Sequence, residues 1–121
     1  MSDAPLNHTD YLILLALADA ERHGYGIMQE VEERSGGRVR FGPGTLYGAI
    51  RRLIVQRLIE ESPRRPKASA DDVRRRCYYR LTSLGRKSAA AETRRLADLV
   101  RVAEAKRLID RPRPTVEGGR P

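Results

Sequence analysis

The sequence has little of what a secreted, membrane-spanning or disulfide-stabilised protein needs. It contains one cysteine, Cys77, among 121 residues, so no internal disulfide can form and the reducing cytoplasm is the expected compartment. Its longest apolar run, residues 11–18, is far shorter than the roughly 20 residues that a helix needs to cross a bilayer. Acidic residues precede that run and a basic segment does not, which argues against a signal peptide.

Patterns typical of catalytic and metal sites are also missing. The only histidines, His8 and His23, do not stand at metal-ligand spacing from Cys77, so we predict no metal site and interpret His23 as a turn residue. The glycines at residues 24–26 and 42–44 do not complete a dinucleotide-binding or phosphate-binding loop. The sequence also offers no Ser/His/Asp set and no carboxylate pair in an apolar setting. We therefore predict that the protein is not an enzyme and uses no cofactor.

Positive charge is what the sequence has in excess. It carries 24 Lys and Arg against 16 Asp and Glu, a net charge of +8 with a pI near 10.4. Such an excess favours an anionic partner, either nucleic acid or a membrane surface. Hydrophobic residues make up 40% of the chain, which is enough for one small core and too much for a disordered protein.

Apolar periodicity and helix-breaking residues predict the order of the secondary-structure elements. The predicted elements are a helix over residues 10–20 capped by Thr9, a helix over 25–34, a helix over 42–57, a strand over 58–62, a basic loop over 63–75, a strand over 76–81 and a long helix over 83–110. This order is typical of a winged helix-turn-helix protein, mainly α with a small two-stranded β wing. The predicted parts are a winged domain over residues 1–82, a C-terminal helix over 83–110 and a disordered tail over 111–121.

The third predicted helix has an apolar face and an opposite face that contains two glycines. At 100° per residue, Leu46, Ile50 and Leu53 share the side that would pack on the core, whereas Gly44 and Gly48 are exposed. Each exposed glycine costs about 1 kcal/mol of helix stability relative to alanine, and close approach of the backbone to a ligand would explain that cost. The major groove of DNA admits such a helix, whereas the alternative is a solvated face without a ligand. The predicted DNA contacts here are Gly44, Thr45, Tyr47, Gly48, Arg51 and Arg52.

The loop between the two predicted strands is strongly basic. Together with Arg76, the first residue of the next predicted strand, it has six cations against the carboxylates of Asp71 and Asp72, a charge of +4 and half of the net charge of the chain. A basic wing beside a DNA-reading helix would contact phosphates and raise affinity without reading sequence, whereas the alternative is a loop that serves solubility alone. The predicted phosphate contacts are Arg64, Arg65, Lys67, Arg74, Arg75 and Arg76.

The last predicted helix is too long for a domain of this size to cover. It would extend on the order of 40 Å at 1.5 Å per residue, and its second half repeats apolar residues among charged ones. A second copy of the chain would cover this face, whereas the alternative is a helix that folds back on its own chain. A two-fold homodimer would place two recognition helices about 34 Å apart on a palindromic operator in double-stranded DNA. The predicted dimerisation residues are Leu12, Leu96, Leu99, Val100 and Ala103.

Several motifs of the sequence resemble those of PadR-type transcriptional regulators. They include the apolar run at residues 11–17, His23-Gly24-Tyr25-Gly26-Ile27, Gly42-Pro43-Gly44-Thr45-Leu46-Tyr47, and Tyr78-Tyr79-Arg80-Leu81-Thr82 followed by Gly85. The resemblance extends over about residues 10–100 and favours the short subgroup, in which a single C-terminal helix forms the dimer. It implies a winged helix-turn-helix homodimer, most often a repressor that a small molecule or a stress signal releases from its operator. It also implies that Tyr25 contacts DNA.

The sequence departs from the family pattern at two places and leaves other functions open. Gly48 stands where many members have proline, and the basic loop at residues 63–75 is longer than is common. One alternative is a basic RNA-binding or nucleoid-associated module without an effector response. RNA readers usually stack bases on exposed aromatic side chains, however, and only Tyr47 is predicted on the groove face. Another alternative is a ligand- or redox-sensing protein, because Cys77 stands near Arg76 and Arg80, whereas a structural role is the other interpretation of a lone cysteine.

Overall fold

The computed structural model describes residues 6–63 and 77–110. Within these residues the chain forms four helices and three short strands, and the predicted mainly helical fold with a β wing is confirmed. In chain order the elements are α1 (His8–Ala16), β1 (Arg22–His23), α2 (Gly24–Arg34), α3 (Pro43–Val55), β2 (Ile59–Glu61), β3 (Tyr78–Leu81) and α4 (Ser83–Ala105). The predicted tail and nearly all of the predicted basic loop lie outside the described residues. None of the described helices is long and apolar enough to span a membrane.

The sheet has three antiparallel strands in the order β1-β3-β2, so the prediction of a two-stranded wing was incomplete. β3 pairs with β2 through Glu61 and Tyr79, and with β1 through Arg22 and Tyr79. β1 was not predicted from the sequence, because a strand of two residues is too short to show an alternating pattern. The alternation of side chains over residues 76–81 predicts that Cys77, Tyr79 and Leu81 share one face of the strand. This prediction is confirmed, since Tyr79 is buried while Cys77 and Leu81 pack against the core.

The predicted end of α2 at Arg34 and the predicted start of α4 at Ser83 are confirmed, whereas other helix ends differ from the predicted ones because their caps are not the residues that mark a helix end most clearly. α1 begins at His8 and ends at Ala16, and the side chain of Asn7, rather than Thr9, accepts a hydrogen bond from the backbone of Asp10. α3 ends at Val55 because the chain turns through a left-handed Arg57, with a φ of 65°. α4 ends in the same way before Arg107, whose φ is 62°. Glycine usually occupies such positions, so arginine gave no stop signal.

The core is formed by apolar side chains from α1, α2 and α3 together with β2 and β3. The predicted inward stripe of α3 is confirmed, because Leu46, Ile50 and Leu53 are at most 2% exposed. The other largest side chains that are fully buried are Ile13, Leu14, Ile27 and Ile59. Because one face of α3 is used by the core in this way, its opposite face points to solvent.

The long helix α4 packs on the rest of the chain only through its first half. Thr82 caps it, accepting a hydrogen bond from the backbone of Gly85 and donating one to the carbonyl of Arg57 at 2.6 Å. Ala89 and Glu92 are the last residues of α4 that are buried. Beyond them the helix is largely exposed and does not fold back on the described part of its own chain.

Candidate nucleic-acid interface

The outer face of α3 contains space that the protein itself does not fill. Gly44, Thr45 and Arg51 are exposed and Gly48 is half-buried. A Cβ atom added to Gly44 or to Gly48 would meet no other atom within 4 Å. Packing among the described residues therefore does not require glycine at either position, and the predicted cost in helix stability has no internal explanation.

Tyr47 lies at the joint between α2 and α3 rather than fully on the outer face. A Cβ atom on Gly24 would lie 2.2 Å from its hydroxyl oxygen, so the tyrosine ring occupies the space above this buried glycine. Tyr47 is half-buried and packs against the core. The contact brings the start of α2 against α3, and a side chain at position 24 would have to displace the ring of Tyr47. The DNA contact predicted for Tyr47 stays a prediction for its exposed part.

His23 caps α2 and lies beside the exposed Tyr25 at the start of that helix. Its Nδ1 accepts a hydrogen bond from the backbone of Gly26 at 3.0 Å, so it is a helix cap at the end of β1 and not merely a turn residue. The ring of His23 stacks on Tyr25 at 6.5 Å between centroids and meets the edge of Tyr78 at 5.3 Å. Tyr25 is 61% exposed, which makes it more accessible than Tyr47.

The two neighbouring arginines of α3 have different environments. Arg51 is exposed, and it forms no ion pair or hydrogen bond with any residue in the two described ranges. The guanidinium of Arg52 instead donates to Oδ1 of Asp10 at 2.6 Å. This hydrogen bond and the charge of the Asp10 carboxylate raise the pKa of Arg52. The two residues are 42 positions apart in sequence, so no local pattern could have indicated the pair.

An open groove of about 360 Å³ separates the first turn of α1 from the outer face of α3. The residues that line it are Asn7, His8, Thr9, Gly44, Thr45, Gly48, Ala49 and Arg52. Sequence analysis did not connect the beginning of α1 with the recognition face, because contact between the two arises only in the folded chain. The side of α3 that carries its glycines is thus continuous with a concave surface.

The hairpin of β2 and β3 defines where the basic loop leaves the domain. Glu61 and Tyr79 are paired, and the backbone of Ser62 donates to the carbonyl of Tyr78 at 2.7 Å. The two ends of the loop therefore start side by side at the tip of this hairpin. The six cations predicted to contact phosphates, at residues 64–76, lie outside the described residues.

The exposed second half of α4 carries the apolar stripe that was predicted for dimerisation. Leu99 is 59% exposed and Val100 is 44% exposed, whereas Leu12 of α1 is half-buried against the core. The structure adds two exposed apolar residues, Leu15 at 44% and Val102 at 48%. Both stand three positions after a predicted residue and share its helix face, and this spacing was the signal that could have found them.

A match to a protein-family model assigns this chain to a family. The model described as the transcriptional regulator PadR-like family matches residues 13–91, which include α2, α3 and the three strands. The chain belongs to the PadR-like family. The resemblance proposed from the motifs is confirmed, and so is the prediction that the protein is not an enzyme, because the family consists of DNA-binding transcriptional regulators.

Similar proteins support the same assignment. An uncharacterised protein X of Lysinibacillus sphaericus is 34% identical over 110 residues, which are 90% of this chain and 91% of the relative. The crystal structure of a PadR family regulator from Clostridium difficile is 26% identical with a TM-score of 0.69, covering 83% of this chain and 98% of that one. A PadR-like regulator from Bacillus cereus has the same fold at 17% identity and a TM-score of 0.67, covering 84% of this chain and 92% of that one. The PadR-like protein described here is therefore a DNA-binding transcriptional regulator with a winged-helix fold.

Proposed function

We propose that this PadR-like protein is a cytoplasmic homodimeric repressor that reads a palindromic operator by inserting α3 into the major groove. The observation that carries the proposal is the open space over Gly44 and Gly48 on the outer face of α3. Two glycines that the fold does not need lower the stability of the helix, and they let a ligand approach its backbone closely. A groove edge with its phosphates is such a ligand.

The side chains around these glycines would contact different parts of the DNA. Arg51 is exposed and held by no other described residue, so its guanidinium is available for a guanine edge. Thr45 at the start of α3 and Tyr25 at the start of α2 are exposed and would donate to phosphates. The basic loop would extend from the tip of the hairpin and add phosphate contacts that do not depend on sequence.

The second half of α4 would form the dimer together with α1. α4 is about 34 Å long at 1.5 Å per residue, and its exposed leucine and valine side chains form a stripe without a partner in the described chain. α1 packs beside α4, since the hydroxyl groups of Tyr11 and Thr93 lie 2.7 Å apart. Leu15, one turn after Tyr11 on α1, adds an exposed apolar side chain. A two-fold axis there would place the two α3 helices on successive major grooves.

Repression and its release are proposed on the strength of kinship with the family. Bound across an operator, the dimer would hinder transcription, and a small molecule or a stress signal would lower its affinity for DNA. A ligand achieves this only if it binds the DNA-free form more tightly than the bound form. The identity of that signal is a question for experiment, because no residue described above selects one chemical class.

Selection from a library of random DNA duplexes with the full-length protein tests the proposal. We expect enrichment of a palindromic sequence bound by two chains, with a steep loss of affinity as salt is added. The matched controls are a scrambled duplex of the same composition and a structured RNA of the same length. Equal affinity for scrambled duplex would reduce the protein to a nucleoid-associated module, and preference for RNA would overturn DNA reading altogether.

A further inference from the structure

One partly buried ion pair connects α3 to α1. Nη2 of Arg52 and Oδ1 of Asp10 lie 2.6 Å apart. The side chain of Asp10 is only 7% exposed, whereas that of Arg52 is 46% exposed, so the arginine covers the carboxylate from the solvent side. A buried carboxylate is strongly unfavourable without a cationic partner. The pair therefore constrains how α3 lies against α1.

The helix that carries Asp10 is itself anchored to α4. The backbone of Leu6 donates to Oε1 of the buried Glu92 at 3.2 Å, and the hydroxyl of Tyr11 contacts that of Thr93. α1 thus has a fixed position on the first half of α4. Because Asp10 pairs with Arg52, the position of α1 also constrains α3, whose outer face carries the predicted DNA contacts.

Arg51 and Arg52 point in different directions because neighbouring residues of a helix are 100° apart. Arg52 points towards α1, where its guanidinium pairs with Asp10, while Arg51 forms no ion pair or hydrogen bond with the described residues. Hydrogen bonds weaken steeply when donor and acceptor are misaligned, so the rotation of α3 decides whether Arg51 meets a base edge. Residues that hold this rotation affect recognition without touching DNA.

We infer that Arg52 is a positioning residue, whose ion pair with Asp10 sets the rotation of α3 and so aims Arg51 and the glycine face at the groove. The inference rests on the proposed function, since it concerns how a DNA-reading helix is held. It gives Arg52 a different role from the DNA contact predicted from the sequence. It also makes Asp10, an acidic residue, a determinant of sequence preference.

The variant Asp10→Asn separates the two roles of Arg52. It removes the charge of Asp10 but leaves Arg52 intact, and it makes the protein more positive. A positioning role predicts roughly a tenfold loss of affinity for the duplex that the wild-type protein selects from a random library, with little change on a scrambled duplex. A direct contact predicts unchanged or tighter binding to the selected duplex, because Arg52 is then released for DNA. That result would overturn the inference.

Asp19→Asn is the matched control. It removes the same charge from a side chain that is 66% exposed and pairs with Arg22 at 3.2 Å, so it reports the loss of a carboxylate and its ion pair at a site that does not contact α3 through that pair. We expect this variant to bind both duplexes at least as well as the wild-type protein does. A tenfold loss for Asp19→Asn as well would mean that the effect of Asp10→Asn does not come from the pair. All affinities are compared at a temperature well below the melting point of the least stable variant.

Two further variants keep the test decisive if Asp10→Asn does not fold. Asp10→Glu keeps the charge but lengthens the side chain, so only a positioning role predicts weaker binding to the selected duplex. Arg52→Gln should lower affinity for that duplex without changing the salt dependence, whereas loss of a phosphate contact would reduce the slope by about one. A reduced slope for Arg52→Gln would overturn the positioning role.

The controls also separate this inference from the proposed function. If the wild-type protein does not prefer its selected duplex over the scrambled one, sequence-specific reading is wrong and the positioning role fails with it. If the wild-type protein shows the preference and Asp10→Asn keeps it undiminished, only the positioning role is wrong.

Discussion

Among the described residues, Gly24 and Gly85 are enclosed by the chain, whereas Gly44 and Gly48 on α3 have open space beside them. A Cβ atom on Gly85 would lie 1.9 Å from the carbonyl oxygen of Leu58, and one on Gly24 would collide with Tyr47. Gly44 and Gly48 would accept a Cβ atom without touching anything within 4 Å. The first pair is explained by the fold. The second pair is not explained by packing among the described residues, and we propose that a ligand approaches α3 there.

α4 shows the same contrast between its two halves. In the first half Ala89 is 9% exposed and Glu92 is 6% exposed, because these residues lie against the rest of the chain. In the second half Leu99 is 59% exposed and Val102 is 48% exposed. A stripe of large apolar side chains at helical spacing is typical of an interface rather than of a solvated helix. The difference predicts which substitutions affect folding and which affect partners.

Gly85→Ala should produce the largest loss of stability. The new methyl group would clash with backbone at Leu58, which cannot move aside as a flexible side chain would, so we expect unfolding to become easier by about 3 kcal/mol or more. Chemical denaturation at a fixed protein concentration measures the change. Wild-type stability for this variant would mean that the start of α4 does not pack on the backbone of Leu58.

Charges in the second half of α4 should break the dimer and leave the fold intact. We expect Leu99→Glu combined with Ala103→Glu to give monomers in sedimentation, and to weaken operator binding about a hundredfold, ~2.7 kcal/mol, because two linked half-site contacts become independent. The control is Ala105→Glu combined with Leu108→Glu, which adds the same charge beyond the stripe. Dimers that persist in the first double variant would move the interface elsewhere.

The parts of the fold that sequence analysis predicted correctly are those with periodic patterns. The stripe through Leu46, Ile50 and Leu53 repeats with the period of a helix, and Tyr79 alternates with its neighbours as a strand requires. These patterns arise because the core removes one face of each element from water. They also identified the outer face of α3 as the side left without a packing role.

Features that depend on contacts between distant residues could not be predicted in this way. The pair of Asp10 and Arg52 joins two helices whose sequences show nothing unusual at either position. β1 consists of two residues, and the left-handed Arg57 ends α3 without the glycine that usually marks such a turn. In each case the tertiary structure outweighs local preference, which is why element ends were less accurate than element order.

Arg51→Ala should weaken reading of sequence more than overall affinity for DNA. Loss of a guanine contact costs about 1–3 kcal/mol and relaxes preference at one base pair. Binding to the selected duplex and to its scrambled counterpart measures the two effects separately. Arg94→Ala, which removes an exposed arginine from α4, is the control. Equal losses on both duplexes would assign Arg51 to a phosphate instead of a base.

Gly48→Ala is the counterpart of Gly85→Ala and should have the opposite effect on stability. It removes a flexible residue from a helix without a clash, so we expect the protein to gain up to about 1 kcal/mol. The same methyl group would stand between the helix and the DNA, and operator affinity should fall. Denaturation and binding are measured on the same sample. A variant that is more stable and binds DNA unchanged would show that close approach at Gly48 is not needed.

A buried tyrosine, Tyr79, and an exposed one, Tyr25, extend the comparison of enclosed and open sites to alkaline pH. Burial, reinforced by Cys77, Tyr47 and Glu61, raises the pKa of Tyr79 from 10.0 to about 12. The unfolded chain therefore loses this proton at lower pH than the folded one. The contribution of protonated Tyr79 to the free energy of unfolding is therefore fully present below pH 10 and disappears as the pH rises from 10 to about 12.

Replacing Tyr79 with phenylalanine should remove that contribution. Between pH 10 and about 12, we expect the free energy of unfolding of Tyr79→Phe to fall by about 1–2 kcal/mol less than that of the wild-type protein. The reason is that the buried ring of the variant has no proton to lose. Tyr25→Phe, at a side chain that is 61% exposed, is the matched control and should follow the wild-type curve. Denaturant unfolding at a series of pH values measures all three proteins. Parallel curves for wild type and Tyr79→Phe would mean that Tyr79 is open to solvent, and that β3 is not closed over the core as the structure shows.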